Sequence, residues 1–333
     1  MNRIARLVGT GQYVPEVELT NAEFAESMDR VHPGLGQVVY KFEENSGIKR
    51  RFRAPRDWAT SDLAVRAAKA ALDDAGLKPD DIDLIILGTD SPDYITPATS
   101  VVVQGKLGAR NAGTYDVGCA CASFPTVFSA AAGHIATNPW IRNVLCIGAY
   151  MMSKLADEND LTSFFYGDGA GAAVLTAGDK PGFITSAFNA DGTYHKAWGI
   201  YSGGTYEPAT CESVEAGRTK VRLVDKYPPE VNHQGWPKVA RMLSERGGFE
   251  LSEIDQIIFT QVNTGSIDLV MTDLGLPLER AHKIMHDVGY TGSACIPIAL
   301  HDAISKGKIR QGDLVCMVGS GVGYNQAGVA FRL

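Results

Sequence analysis

The chain repeats itself. Residues 80–89 read DDIDLIILGT and residues 252–260 read SEIDQIIFT, each a short apolar run behind an Ile-Asp pair. Such a run, bounded by polar turn residues, is the pattern of a strand covered on both faces. A helix-patterned stretch precedes each one, at 61–75 and at 234–247. Asp116-Val117-Gly118 recurs as Asp287-Val288-Gly289, 171 positions on, and Ile82-Asp83 recurs as Ile254-Asp255, 172 positions on. Small residues and then a proline, Pro125 or Pro297, follow each Asp-Val-Gly run, and an apolar helix pattern follows each proline. Strand patterns come next at 143–148 and 313–319, and Gly-rich sequence at 166–175 and 319–331 leads into a last strand. Four blocks in one order at a nearly constant offset predict an α/β chain of two duplicated halves, stacked in layers, with parallel strands covered by helices. Expected boundaries are 1–175 for the first half, 176–232 for an irregular insertion, and 233–333 for the second half. Residues 15–57 also lack a partner and are expected to form a lid.

At 333 residues the chain can bury roughly three quarters of its unfolded surface, so it needs no disulfide or metal to hold its core. The net charge of −7 argues against a nucleic-acid partner, which selects a basic surface. No stretch approaches ~20 uninterrupted apolar residues, so no membrane span is expected. The first residues, MNRIARLVGTGQYVP, lack the apolar stretch of a signal peptide, and a cytoplasmic location is the expectation. Six cysteines are present without the paired CxxC spacing of a zinc site, so no metal is expected.

Cys121 stands apart from the other five. A strand-like run at 114–117 leads into Gly118, and a helix pattern begins at Phe124, so the thiol falls at a strand–helix junction. Free N–H groups and the positive end of the helix dipole at such a junction favour a thiolate. Ala120, Ala122 and Ser123 leave room for a substrate, and Pro125 suits a first helical turn. Cys119 and Cys295 read as small buried hydrophobes. Gly167-Asp168-Gly169-Ala170-Gly171 and the 319–323 loop superficially suggest dinucleotide binding, but neither opens a long helix with an acidic residue ~20 positions on.

The set DVGCACASF, YGDGAGAAVL, GTDSPDYITPATSVVVQGKLG and the closing half resembles the β-ketoacyl-ACP synthase III family, of the thiolase fold, over nearly the whole length and least in 176–232. The resemblance implies two stacked βαβαβαββ halves, a homodimer, and a nucleophilic Cys at the end of a central buried helix, here Cys121. It implies an acyltransferase that takes an acyl group from acyl-CoA or acyl-ACP as a thioester, with no bound cofactor. Covalent capture of this kind splits one hard transfer into two easier ones. The implied oxyanion donors are the N–H groups of Cys121 and of Val322, between Gly321 and Gly323.

The sequence departs from the family at both partners of the Cys. The family's Pro-His-Gln-x-Asn run reads Phe259-Thr260-Gln261-Val262-Asn263, with Thr260 in place of the His. The family's Gly-Asn-Thr reads Gly289-Tyr290-Thr291, with Tyr290 in place of the Asn. Two neutral hydroxyls can donate hydrogen bonds, but neither accepts a thiol proton near neutral pH. Self-acylation is therefore expected to survive, with weak or absent malonyl decarboxylation. Gln261 and Asn263 are expected at the substrate pocket. His195, in the inserted segment, is the imidazole expected to reach it.

Carrier recognition departs as well. The family's Trp and Arg near the CoA adenine fall at Lys41 and Asn45. This predicts weak binding of free CoA and favours an acidic acyl carrier protein, met by Lys41, Asn45, Lys49, Arg50 and Arg51, with Arg53 beside them. Three readings follow. The first is acyl transfer from Cys121 to a carbon, amine or hydroxyl nucleophile in fatty-acid or specialised-metabolite biosynthesis. The second is decarboxylative condensation through a modified triad. The third is a non-catalytic subunit that pairs with an active homologue.

Overall fold

The computed structural model describes residues 3–179, 181–228 and 230–333. Its strands in chain order are β1 (Ile4–Tyr13), β2 (Val17–Thr20), β3 (Arg50–Arg53), β4 (Leu84–Gly88), β5 (Gly113–Val117), β6 (Asn143–Tyr150), β7 (Gly169–Gly178), β8 (Phe183–Ala190), β9 (Trp198–Gly199), β10 (Arg222–Leu223), β11 (Gln256–Phe259), β12 (Leu314–Gly321) and β13 (Asn325–Arg332). One sheet has the order β1-β7-β6-β4-β5 and a second the order β11-β12-β13-β8. In the first, β4 runs parallel to β5 and β6; in the second, β11 runs parallel to β12. β7 and β13 then pair antiparallel with β6 and β12, so the two sheets are built alike.

The predicted duplication is therefore present, and it is more complete than the sequence indicated. Residues 176–232 are not an irregular insertion throughout. β7 runs on to Gly178, and β8 pairs along β13 as β1 pairs along β7. Its Phe-Ile-Thr-Ser-Ala-Phe pattern is a weak strand signal because β8 is half-solvated, whereas β4, β6, β11 and β12 are buried runs. The counterpart of β5 is reduced to a single parallel bridge between Ile257 and Ala281.

Two helices lie between the sheets, Ser123–Thr137 and Cys295–Ser305. Both are apolar nearly all round because both faces are covered. Their prolines stand in the first turn, where the missing N–H has no helical partner to lose. Outside the first sheet lie helices Thr60–Ala75 and Thr99–Leu107. Outside the second lies Glu230–Gly247, with Thr264–Asp273 alongside it. Helix, sheet, helix, sheet, helix gives five layers.

The Gly-rich 166–175 run is explained by this packing. A Cβ on Gly171 would come within 2.7 Å of the Pro297 backbone, so glycine lets the second central helix lie directly on β7. The segment expected to be a lid is a β2–β3 ribbon with two helices, Asn21–Val31 and Gly36–Ser46. A capping box between Thr20 and Glu23 opens the first of these helices.

Candidate active site

A three-residue 3₁₀ turn, Ala120–Ala122, runs into the helix Ser123–Thr137 and carries Cys121. The same device, Gly292–Ala294, precedes Cys295–Ser305 in the second half. The helices begin at Ser123 and Cys295, 172 positions apart. This register sets Ser293 opposite Cys121 and Tyr290 opposite Gly118, not Tyr290 opposite Cys121. The two turns pack together at the centre of the molecule.

Tyr290 meets Cys121 from the other half: its hydroxyl is in hydrogen-bond contact with the Cys121 Sγ. Ser293 ties the turns together, its hydroxyl lying 2.9 Å from Asp90 Oδ1 and 3.1 Å from the Ala120 carbonyl. Ala120 is held at φ +46, a conformation that costs a non-glycine residue about 1–3 kcal/mol and clusters at functional sites. The loop after β12 closes over this centre. A Cβ on Gly321 would lie 2.2 Å from the Cys119 carbonyl, so only glycine permits the approach.

The electrostatics differ from the simple helix-terminus picture. Burial pushes the Cys121 thiol well above its ordinary range; Asp90 and Cys295 add to the rise, and the contact with Tyr290 opposes it. Burial raises the Tyr290 phenol strongly as well, so both groups rest protonated near neutral pH. The helix terminus is present as expected, but desolvation outweighs it. Asp90, at the end of β4, is pushed up to about 6 by burial, with the Ser293 hydrogen bond acting against the rise. Sequence reasoning passed over Asp90. Its available signal was a carboxylate just beyond the carboxyl end of a fully buried parallel strand, where α/β sites collect.

Two cavities meet here. The inner one, about 220 Å³, reaches Cys121 and Asp90; the outer one, about 360 Å³, leads away from it. Trp198, Tyr290 and Val322 stand in the walls of both. Thr260, Asn263 and Gly321 line the outer cavity. The Thr260 Oγ1 accepts from the Ser320 N–H at 2.8 Å, which couples the end of β11 to the glycine loop. Asn263 caps the helix Thr264–Asp273 by accepting from the Ser266 N–H at 2.9 Å. The Gly323 N–H donates to the Tyr227 hydroxyl at 2.8 Å.

Gln261 and His195 are not pocket residues. Gln261 is fully buried; its amide donates to the carbonyls of Phe259 and His282 and accepts from the Ile284 N–H, so it ties strand to loop. His195 is exposed on a short turn and bonds the Gly192 carbonyl. The imidazole on the outer wall is instead His233, from the helix Glu230–Gly247, 3.1 Å from the Ser266 hydroxyl. A break from helix pattern to pocket wall leaves no mark in sequence periodicity.

The expected carrier surface divides. Lys41, Asn45 and Lys49 are exposed, and the turn at Gly47 sits against Thr264, beside Asn263 of the outer cavity. Arg50 lies near Glu18 and Asp287 and donates to the Asp287 carbonyl. Arg51 is fully buried and cannot meet a partner. Its guanidinium donates to Asn21 Oδ1 at 2.6 Å and stacks 4.6 Å from the Phe164 ring centre. Burial lowers its pKa to about 9. The alternation of β3 turns Arg51 inward, a facing the basic run Lys49–Arg53 concealed. Among the described residues, no group of three His, Cys, Asp or Glu side chains could hold a metal, and no helix is long and apolar enough to cross a membrane.

A duplicated five-layer α/β fold, with a buried cysteine in the turn that opens a central helix, defines the thiolase-fold class of acyl-transferring enzymes. Residues 115–192 match the family model of 3-oxoacyl-[acyl-carrier-protein (ACP)] synthase III, and residues 244–333 match that of its C-terminal part. The chain is 36% identical over 329 residues to the β-ketoacyl-[acyl-carrier-protein] synthase III of Caldanaerobacter subterraneus, covering 97% of this chain and 96% of that protein. It is 34% identical to the protein of the same name from Neisseria meningitidis, covering 96% of each. The crystal structure of 3-oxoacyl-[acyl-carrier-protein] synthase III from Aquifex aeolicus superposes with a TM-score of 0.85 at 30% identity, over 99% of this chain and 100% of that one. The priming β-ketosynthase of the R1128 polyketide pathway gives 0.88 at 29% identity, over 100% and 97%. The chain belongs to the β-ketoacyl-[acyl-carrier-protein] synthase III family.

Proposed function

We propose that this enzyme, an acyltransferase of the ketoacyl synthase III type, captures an acyl group on Cys121 and passes it to an amine or hydroxyl acceptor rather than to a decarboxylated malonyl unit. The observation that carries this reading is the contact of Tyr290 with the Cys121 Sγ, with no imidazole in the walls of the inner cavity among the described residues. In the capture step, Sγ attacks the thioester carbonyl, the donor's C–S bond breaks, and the Cys121 proton ends on the departing thiol. The exchange is proton-neutral overall. The Tyr290 hydroxyl donates to Sγ as negative charge develops there, and the N–H groups of Cys121 and Val322 receive the oxyanion. One such donor is typically worth ~10²–10³ in rate.

In the transfer step the acceptor enters by the outer cavity. His233, beside Ser266, takes the proton of the incoming N–H or O–H. The acceptor's new bond to the acyl carbon forms as the Cys121–acyl bond breaks, and the proton finishes on the Cys121 Sγ. Enolate formation would need two strong donors on one oxygen; the Thr260 hydroxyl, which accepts from the Ser320 N–H, keeps its proton to donate but is a neutral, weak donor. The exposed Lys41, Asn45 and Lys49, close to the outer cavity, favour an acyl carrier protein as donor over free CoA. A cytoplasmic homodimer is the assembly that accompanies this reading.

The test is intact-mass measurement after incubation with a panel of acyl-CoAs and acyl-ACPs. An acyl adduct on the wild type, absent from Cys121→Ala, supports capture. No adduct with any donor favours the non-catalytic subunit. Malonyl-dependent CO₂ release at ordinary synthase rates would restore condensation.

A further inference from the structure

The inner cavity holds a feature that plain acyl capture does not require. Asp90 opens into it, and no cation of the chain pairs with that carboxylate among the described residues. One oxygen is met by the Ser293 hydroxyl. Around it stand four linked rings. Tyr150 lies 6.4 Å from Tyr166 and 6.0 Å from Tyr290, centre to centre, and Tyr166 lies 6.4 Å from Trp198. The Trp198 N–H is spent on the Tyr166 hydroxyl at 3.1 Å. An alkyl chain entering here would strip water from a carboxylate and return nothing, which is strongly unfavourable. A carboxylate ringed by aromatic side chains is instead the arrangement that accepts an ammonium ion, through ion pairing and attraction to the rings.

We propose that the inner cavity is a cation-accepting acyl pocket: the acyl group loaded on Cys121 carries a protonated amine, held by Asp90 and the rings of Tyr150, Tyr166 and Trp198. This rests on the reading of Cys121 as the acylated residue. The volume of about 220 Å³ equals roughly seven waters at ~30 Å³ each, which suits a short amino-acyl group. With its pKa pushed up to about 6 by burial, Asp90 is still largely ionised at pH 7.5 and ready to pair. Pairing also has a chemical consequence. Asp90 is one of the charges that raise the Cys121 thiol, so a bound ammonium cancels that part and eases thiolate formation only when the right donor is present.

Three isosteric donors test this: β-alanyl, 3-hydroxypropionyl and butyryl thioesters, on CoA and on carrier protein, with initial acylation rates read by intact mass. The expected order has β-alanyl ahead of butyryl by ~10-fold or more, with that preference lost in Asp90→Asn and Asp90→Thr. Butyryl equal to or faster than β-alanyl on the wild type overturns the proposal, and so does 3-hydroxypropionyl as the fastest donor. A second measurement separates the pocket from the chemistry. Calorimetric titration of Cys121→Ala with n-propylammonium, against n-propanol, is expected to show saturable binding of the ammonium alone, abolished by adding Asp90→Asn. Binding without any acylation would sink the capture reading and leave the pocket standing. No binding of the ammonium overturns the pocket itself.

Discussion

Replacing Asp90 by Asn removes a buried charge while keeping an oxygen to accept from Ser293. The carboxyl pKa rises from 3.8 to about 6 on folding, chiefly through desolvation. The folded state therefore holds the Asp90 proton to higher pH than the unfolded chain does. Below pH 3.8 the carboxyl is protonated in both states and Asp90 costs nothing. Stability then falls as pH rises toward 6, and above pH 6 the native state carries the full penalty. A difference of about two pH units, at about 1.4 kcal/mol each, is roughly 3 kcal/mol. Asp90→Asn is thus expected to be more stable than the wild type by about 3 kcal/mol at pH 8. Near pH 4 the two should be nearly equal. Urea unfolding of both proteins at the two pH values, followed by circular dichroism, measures this. A difference independent of pH, or a wild type more stable than the variant at pH 8, would refute the reasoning. A gain in stability bought by losing a charge is what a site residue, rather than a structural one, should give.

Two further outcomes are expected. Tyr290→Phe deletes the hydroxyl on the Cys121 Sγ and should slow acylation about 10–100-fold, the worth of one charge-assisted hydrogen bond, with unfolding little changed; rapid-quench mass measurement checks it, and an unaltered rate would remove Tyr290 from the mechanism. Arg51→Met and Lys49→Glu should part company: the first, by stripping the bonds to Asn21 and the stacking on Phe164, lowers the melting temperature without altering KM for an acyl-carrier donor, while the second raises that KM at low salt and leaves melting alone.

The course of the chain was legible to the extent that local chemistry encoded it. The apolar runs of β4, β6, β11 and β12 were readable because strands buried on both faces need nothing but apolar residues. β8 was not, because a half-exposed strand carries a diluted pattern. Cys121 was readable because strand ending, small residues and a first-turn proline sit within a dozen positions of it. Gln261 and His195 misled for one common reason: a polar side chain's role depends on which carbonyls, N–H groups or solvent surround it, and those lie far away in sequence.

The sequence by itself determined the duplicated α/β halves and the cysteine at the junction, and it singled out Thr260 and Tyr290 as candidate partners of that cysteine. The tertiary structure alone decided that Tyr290 touches the Cys121 Sγ from 169 positions away, and that Asp90 joins the same cavity. It alone decided that Arg51 turns inward under Phe164, and that His233 rather than His195 faces the outer cavity. The physical reason is the division of labour in the chain. Strands, helices and turns follow from periodicity and backbone preference over a few residues. The site forms where the ends of two sheets and two central helices meet, and burial there sets which charges persist and which protons are held.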